Sequence, residues 1–128
     1  MVVKKVLNIE DKALKHVAVA RALNKSGVAF VDWAKTGDDG IKMVEKAIVE
    51  GKPYDLIITD MHFPIYGCDD VYAGTKVIVE LRNKGIDVPV VVCSSHPYIE
   101  PLAVDNIFYN QRSRDIDWDI REMLERLK

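Results

Sequence analysis

Short apolar runs recur along this chain, each followed by a stretch with helical spacing, and that alternation limits the architecture more than any other feature. The runs "VVKKVLNI" (2–9), "VAFVDWA" (28–34), "DLIIT" (55–59), "VPVVVCS" (88–94) and "NIFYN" (106–110) read as strands. Between and after them lie helical patterns over 13–27, 36–52, 74–85 and 115–128, three of them followed or closed by Gly27, Gly51 and Gly85. The apolar face of the first helix is read as Leu14, Val17, Ala18 and Leu23, that of the second as Ile41, Val44, Ile48 and Val49, and that of the last as Ile116, Ile120, Leu124 and Leu127. Asp38 and Asp39 suit the start of the second helix, where the backbone N–H groups favour negative charge. Strands alternating with helices imply a parallel sheet with helices on both faces. The strands are nearly continuous in apolar residues, as expected when neither face meets water. The expected fold is therefore α/β: a flavodoxin-like, doubly wound, five-stranded parallel sheet in the order 2-1-3-4-5. Its 128 residues fit a single domain, 1–128.

Charge and composition exclude several function classes. The net charge is −2 and the charged residues are mixed along the chain, without the basic stripe that nucleic-acid binding needs. No segment approaches the length that spans a bilayer, and "MVVKKVLNIED" lacks the features of a signal peptide. Neither nucleic acid nor membrane is expected as a partner. Cys68 and Cys93 have no metal-type spacing and are too few for a disulfide framework, which fits a cytoplasmic protein with reduced thiols. There is no P-loop and no G-x-G-x-x-G after the first strand, so a nucleotide-binding or hydrolytic role is disfavoured.

Ligands of open parallel sheets sit beyond the carboxyl ends of the strands. The first strand runs into Glu10 and Asp11, the third into Asp60, the fourth into Ser94, Ser95 and His96, and the fifth ends near Asn110. In the expected strand order the first, third and fourth ends are neighbours, so three carboxylates converge. Like charges that close repel, and a hard cation resolves the conflict. Mg²⁺ suits such oxygen ligands, and an aspartate beside it can attack a phosphoryl group to give an aspartyl-phosphate.

On these residues the chain resembles a response-regulator receiver domain of the stand-alone chemotaxis or phosphorelay type. The resemblance rests on "VLNIED", on "YDLIITDMHFP" with its aspartate and following proline, on Gly74 opening the third helix, and on "VPVVVCSS". It implies that Asp60 is the phosphoacceptor and that Glu10 and Asp11 are the metal-binding acids. Asp60 and the backbone carbonyl of His62 would complete the protein's metal ligands, with Mg²⁺ as the ion and Mn²⁺ as a substitute. Ser94 would be the hydroxyl that closes on the phosphoryl group. Pro64 would turn the chain away from the site.

The sequence departs from the family pattern in three places. A lysine is expected at the end of the fifth strand, and Asn110 stands there, followed by Gln111. No lysine lies between Lys84 and Lys128, so Lys12, Arg112 or Arg114 are the candidates to supply the missing charge. Pro97 and Pro101 interrupt the segment between the fourth and fifth strands, so a turn, or a fourth helix that is shortened or distorted, is expected there. The segment 65–73 is longer than the family's usual connection; its two tyrosines and paired aspartates could shape a partner site, and it is read in preference as a surface insertion.

His62 and His96 flank the expected pocket and could serve a softer metal, although a bland placement is the reading adopted. His16 is read as a surface or packing residue, Trp33 and Trp118 as packing residues and Cys93 as core. The resemblance implies a receiver that takes a phosphoryl group on Asp60 from a histidine kinase or phosphotransfer protein and signals to a downstream protein by contact. Any enzymatic activity would be limited to self-phosphorylation from a phosphodonor and autodephosphorylation. The alternative is a pseudo-receiver, a protein-binding module that works without phosphorylation.

Overall fold

The computed structural model describes residues 2–110 and 115–128. Arg112 and Arg114 therefore lie outside the described residues. The elements, in chain order, are β1 (Lys5–Ile9), α1 (Ala13–Lys25), β2 (Phe30–Ala34), α2 (Gly37–Val49), β3 (Leu56–Thr59), β4 (Phe63–Ile65), β5 (Cys68–Asp70), α3 (Ala73–Asn83), β6 (Val90–Ser94), β7 (Asp105–Phe108) and α4 (Ile116–Arg126). Five strands form one sheet in the order β2-β1-β3-β6-β7, every neighbouring pair parallel. This is the order expected from the sequence, with two hairpin strands inserted into the numbering.

Successive side chains of a strand point to opposite faces, and both faces here are covered. Leu7, Ile9, Ile57, Val90 and Val92 meet Val44, Val77, Ile78 and Leu81 of α2 and α3. Val6, Leu56, Ile58, Val91 and Cys93 meet Val19, Leu23, Ile120 and Met123 of α1 and α4. Burial on both sides is why these strands carry no polar alternation. Among the described residues no helix is long and apolar enough to cross a membrane.

The helices hold to their expected extents, but two of the expected faces need correction. The buried residues of α1 are Lys15, Val19, Ala22 and Leu23, whereas Leu14 and Val17 are exposed. The stripe of α2 runs through Ile41, Val44 and Ala47, leaving Ile48 and Val49 in water. In α4, Ile120 and Met123 are buried, with Ile116, Leu124 and Leu127 packed at the margin. Thr36 caps α2, its side-chain oxygen accepting from the Asp39 N–H at 3.1 Å, with Asp38 and Asp39 in the first turn. Thr36→Ala is expected to cost about 1 kcal/mol in urea unfolding, since one N–H of the helix start loses its partner.

The segment 65–73 begins inside a feature that the sequence reading missed. β4 and β5 form an antiparallel hairpin, with Phe63 opposite Asp70 and Ile65 opposite Cys68. Its two-residue turn has φ 55° at Tyr66 and 84° at Gly67, the left-handed pair of a tight hairpin. The Tyr66 N–H donates to Asp38 Oδ2 at 2.8 Å, and the Tyr66 hydroxyl is hydrogen-bonded to Glu80. Phe63 and Ile65 are fully buried against the α2 and α3 side of the sheet, while Cys68 and Asp69 face water. Only the outer strand and the turn are surface. Pro64 is the middle residue of β4 and does not turn the chain; in a two-stranded ribbon a proline can occupy such a place.

Residues 95–104, where a turn or a short distorted helix was expected, form a turn at 101–102 and no helix. Pro97 and Pro101 remove backbone donors, and the segment is tied down by its own contacts instead. Asn106 Oδ1 accepts from the Glu100 N–H at 2.9 Å, and Asn106 Nδ2 donates back to the Glu100 carbonyl at 3.2 Å.

Candidate functional site

The sheet itself places the acids. Glu10 follows β1 directly, and its N–H donates to the Ala34 carbonyl at 2.9 Å. Asp60 follows β3 directly, and its N–H donates to the Ile9 carbonyl at 3.0 Å. Each carboxylate is thus fixed by one further rung of the ladder, at adjacent strand ends. Glu10 and Asp60 are buried and Asp11 is exposed. One oxygen from each of the three lies within 4.8 Å of the others.

Three hard oxygen donors in so small a volume fit a small divalent cation. The structure thus brings together Glu10, Asp11 and Asp60, as the sequence led us to expect. Ser94 ends β6, next to β3 in the sheet, and is buried; its Oγ accepts from the His96 N–H at 3.2 Å. His62 is exposed at the start of the loop after Asp60. Asn110 lies just beyond β7, whose end is held to the sheet by the Tyr109 N–H donating to the Ser94 carbonyl at 2.8 Å.

Sequence reasoning missed the most informative residue of the site. Lys15, in the first turn of α1, is 5% exposed and reaches into the acidic mouth. Its Nζ stands 3.0 Å from Glu10 Oε1, 3.3 Å from Asp60 Oδ1 and 2.7 Å from the Cys93 carbonyl oxygen. The three donors of the ammonium are matched by three acceptors. Lys12, the candidate named from the sequence, instead precedes α1 and touches Glu10 only through its backbone N–H, 3.3 Å from Oε2. The signal for Lys15 lay in helical spacing: positions 15, 19, 22 and 23 share the buried face. A lysine on that face, one turn from the strand end, must find an acid or break the packing.

The electrostatics follow from burial. Loss of water pushes the Glu10 carboxyl up to about 7; Lys15 opposes this, and the negative charge of Asp60 adds to it. Burial works against the Lys15 ammonium, but Cys93, Asp60 and Glu10 together outweigh it and hold the group above its ordinary value. Burial also pushes the Cys93 thiol up to about 12, so Cys93 is a neutral core residue, as expected from its strand.

The Asp60 side chain is held at one oxygen only. Oδ1 accepts the Met61 N–H at 2.7 Å and faces Lys15, while Oδ2 has no hydrogen-bond or ion-pair partner among the described residues. The loop behind Asp60 is clamped by α3: the Gly74 N–H donates to the Met61 carbonyl at 3.1 Å. Behind Glu10, the Trp33 indole N–H donates to the Glu10 carbonyl at 2.7 Å. His16 stacks on Trp33 with ring centroids 4.4 Å apart and bonds through Nδ1 to Asn8 Oδ1 at 2.8 Å. Trp33 and His16 therefore pack as expected, and they also brace the acid; Trp118 is exposed. A cavity of about 760 Å³ opens beside the mouth, between the start of α1 and the end of β7, bordered by Lys12, Lys15, Ser95 and Asn110.

No family model matches the chain. The protein-glutamate methylesterase/protein-glutamine glutaminase of Archaeoglobus fulgidus is 37% identical over 91 residues, 71% of this chain and 23% of that protein. The histidine kinase CKI1 of Arabidopsis thaliana is 26% identical over 102 residues, 73% of this chain and 9% of the kinase. The chain thus spans under a quarter of either relative. Among solved structures, the chemotaxis response regulator CheY4 of Vibrio cholerae superposes with a TM-score of 0.75 at 18% identity, covering 99% of this chain and 100% of that one. The receiver domain of CKI1, complexed with Mg²⁺ and BeF₃⁻, superposes with a TM-score of 0.58 at 21% identity, covering 76% of this chain and 69% of that one. Strand order and these likenesses agree: the chain has the fold of the response-regulator receiver domains and is similar to them over most of its length, with an acidic mouth at its strand ends.

Proposed function

We propose that the chain accepts a phosphoryl group on Asp60 and passes the change on by protein contact. The observation that carries this reading is the state of the Asp60 carboxylate. It is fixed at a strand end, anchored through Oδ1, and open at Oδ2, with Glu10 and Asp11 beside it. A nucleophile held rigidly with one free oxygen needs little reorganisation to meet a phosphorus atom in line.

Glu10, Asp11, Asp60 and the His62 carbonyl are the groups that would hold Mg²⁺, or Mn²⁺ in its place. When bound, the ion offsets negative charge on the transferring group. Glu10 and Asp11 stand beside Asp60 as the further oxygen donors that attract a cation. Ser94 is the hydroxyl assigned to follow the phosphoryl group, with its present His96 contact as the bond it would exchange. The donor is a histidine kinase or a phosphotransfer protein, the recipient of the signal another protein, and the setting the cytoplasm.

A pseudo-receiver that binds partners without phosphorylation is the second reading. It is favoured by Asn110 at the lysine position and by the missing helix over 95–104.

The two readings separate by intact mass after incubation with a small acyl phosphate and Mg²⁺. The wild type is expected to gain one phosphoryl group and Asp60→Asn none, with the added mass lost under conditions that hydrolyse acyl phosphates. A folded wild type that binds Mg²⁺ and gains nothing would move the assignment to the pseudo-receiver.

A further inference from the structure

We propose that Lys15 supplies, from the first helix, the positive charge that faces the phosphoryl group on Asp60, replacing a lysine at the end of the last strand. The inference rests on Asp60 being the phosphoacceptor and names the residue that completes that site.

The geometry carries it. Side chains of a helix lean toward its N-terminus, so a lysine in the first turn of α1 aims at the mouth of the sheet. The Lys15 stem crosses the gap between the ends of β1 and β6, and Nζ contacts Glu10, Asp60 and the Cys93 carbonyl together. Among the described residues no other lysine or arginine has an ion pair with Glu10, Asp11 or Asp60. Asn110, which brings no charge, borders the same cavity as Lys15.

Lys15 stands at Glu10 Oε1 and at Asp60 Oδ1, and it touches neither Asp60 Oδ2 nor the exposed Asp11. Its charge is therefore held beside the oxygen that Asp60 presents, without covering it.

The reaction step balances without proton transfer from Lys15. Asp60 Oδ2 forms a bond to phosphorus while the bond from phosphorus to the donor breaks. The electron pair of that bond leaves with the donor, on the carboxylate oxygen of an acyl phosphate or the imidazole nitrogen of a phosphohistidine. Charge spreads over the three remaining phosphoryl oxygens, and the ammonium, already desolvated and in place, stabilises it as a fixed point charge.

The test measures phosphoryl gain by mass, with the same acyl phosphate and Mg²⁺, for the wild type, Lys15→Met, and Lys15→Met combined with Asn110→Lys. Mg²⁺ affinity is measured on each by calorimetry, without phosphodonor. Lys15→Met is expected to label about 100-fold more slowly, the usual loss when one such donor is removed. Its Mg²⁺ affinity is expected to hold or rise, because a competing positive charge has gone. Adding Asn110→Lys is expected to recover at least about a tenfold share of the rate, since a charge is restored in the cavity that both positions border. If the methionine variant fails to fold, Lys15→Gln, which keeps a polar end, takes its place with the same expectations. Labelling of the neutral variant at the wild-type rate would overturn the assignment of Lys15 and leave Asp60 as phosphoacceptor intact. A slow variant that has also lost Mg²⁺ affinity would overturn it too, by making Lys15 a support of the metal site alone. A wild type that never labels would bring down the Asp60 reading, and this one with it.

Discussion

Phe63→Ala is expected to lower the free energy of unfolding by about 3–5 kcal/mol, the usual range for a large buried aromatic cut to alanine. Phe63 is fully buried and packs with Leu7, Ile9, Met61, Ile65 and Val77 on the α2 and α3 side of the sheet. The inner strand of the hairpin is thus part of the core, and its loss would leave a cavity three residues from Asp60. Urea unfolding followed by circular dichroism measures the change, and an unaltered dependence on urea would place the effect in the native state. A loss below about 1 kcal/mol would mean that the hairpin is docked too loosely to count as core. The phosphoryl-accepting rate should fall as well, because the loop that carries Met61, a donor to Asp60, loses its anchor.

Gly74→Ala is expected to destabilise by about 1–3 kcal/mol, against the usual trend for a helix. In an ordinary helix this exchange gains up to about 1 kcal/mol. Here the added methyl carbon would stand 2.5 Å from the Asp60 carbonyl oxygen and 3.2 Å from the Met61 Cα, with the Met61 sulfur at 2.9 Å. Two of those three neighbours are backbone, so the contact cannot be relieved by turning a side chain. The Gly74 N–H to Met61 carbonyl bond, 3.1 Å long, is what draws the two backbones together. Relief must come from moving α3 or the Asp60 loop. Gly40→Ala makes a useful control: its methyl would press only on the Ile9 side chain, at 2.6 Å from Cδ1 and 3.0 Å from Cγ1, with no backbone atom among its three nearest neighbours. Thermal unfolding of both should show the larger loss at position 74, accompanied by slower phosphoryl gain. Equal, small losses would mean that the clamp on Asp60 is slack.

The site was legible in part because two of its elements are local. Asp60 and Glu10 each sit one residue past an apolar run, and strand ends are where parallel sheets gather ligands. The hairpin was hidden because its turn, Tyr66-Gly67, lacks the Asn-Gly or Asp-Gly pair that marks such turns, and Tyr66 is held in its left-handed conformation by Asp38 from another element. The α1 face was misread for a related reason. Leu14 and Val17 are apolar, but the stripe that meets the sheet runs through Val19, Ala22 and Leu23, with Lys15 at its head.

By itself the sequence determined what short-range periodicity can carry: five strands, the central three of them buried, the helices between them, the strand order that follows from doubly winding them, and acids at two strand ends. Only the tertiary structure decided which side of α1 meets the sheet, that Phe63 and Ile65 belong to the core, that 95–104 forms no helix, and that Lys15 fills the acidic mouth. The division has a physical cause. Periodicity reports whether a residue can be buried, whereas a lysine with a four-carbon stem is placed by whatever acceptors lie within its reach. Those acceptors, Glu10, Asp60 and the Cys93 carbonyl, come from three strands that only folding brings together.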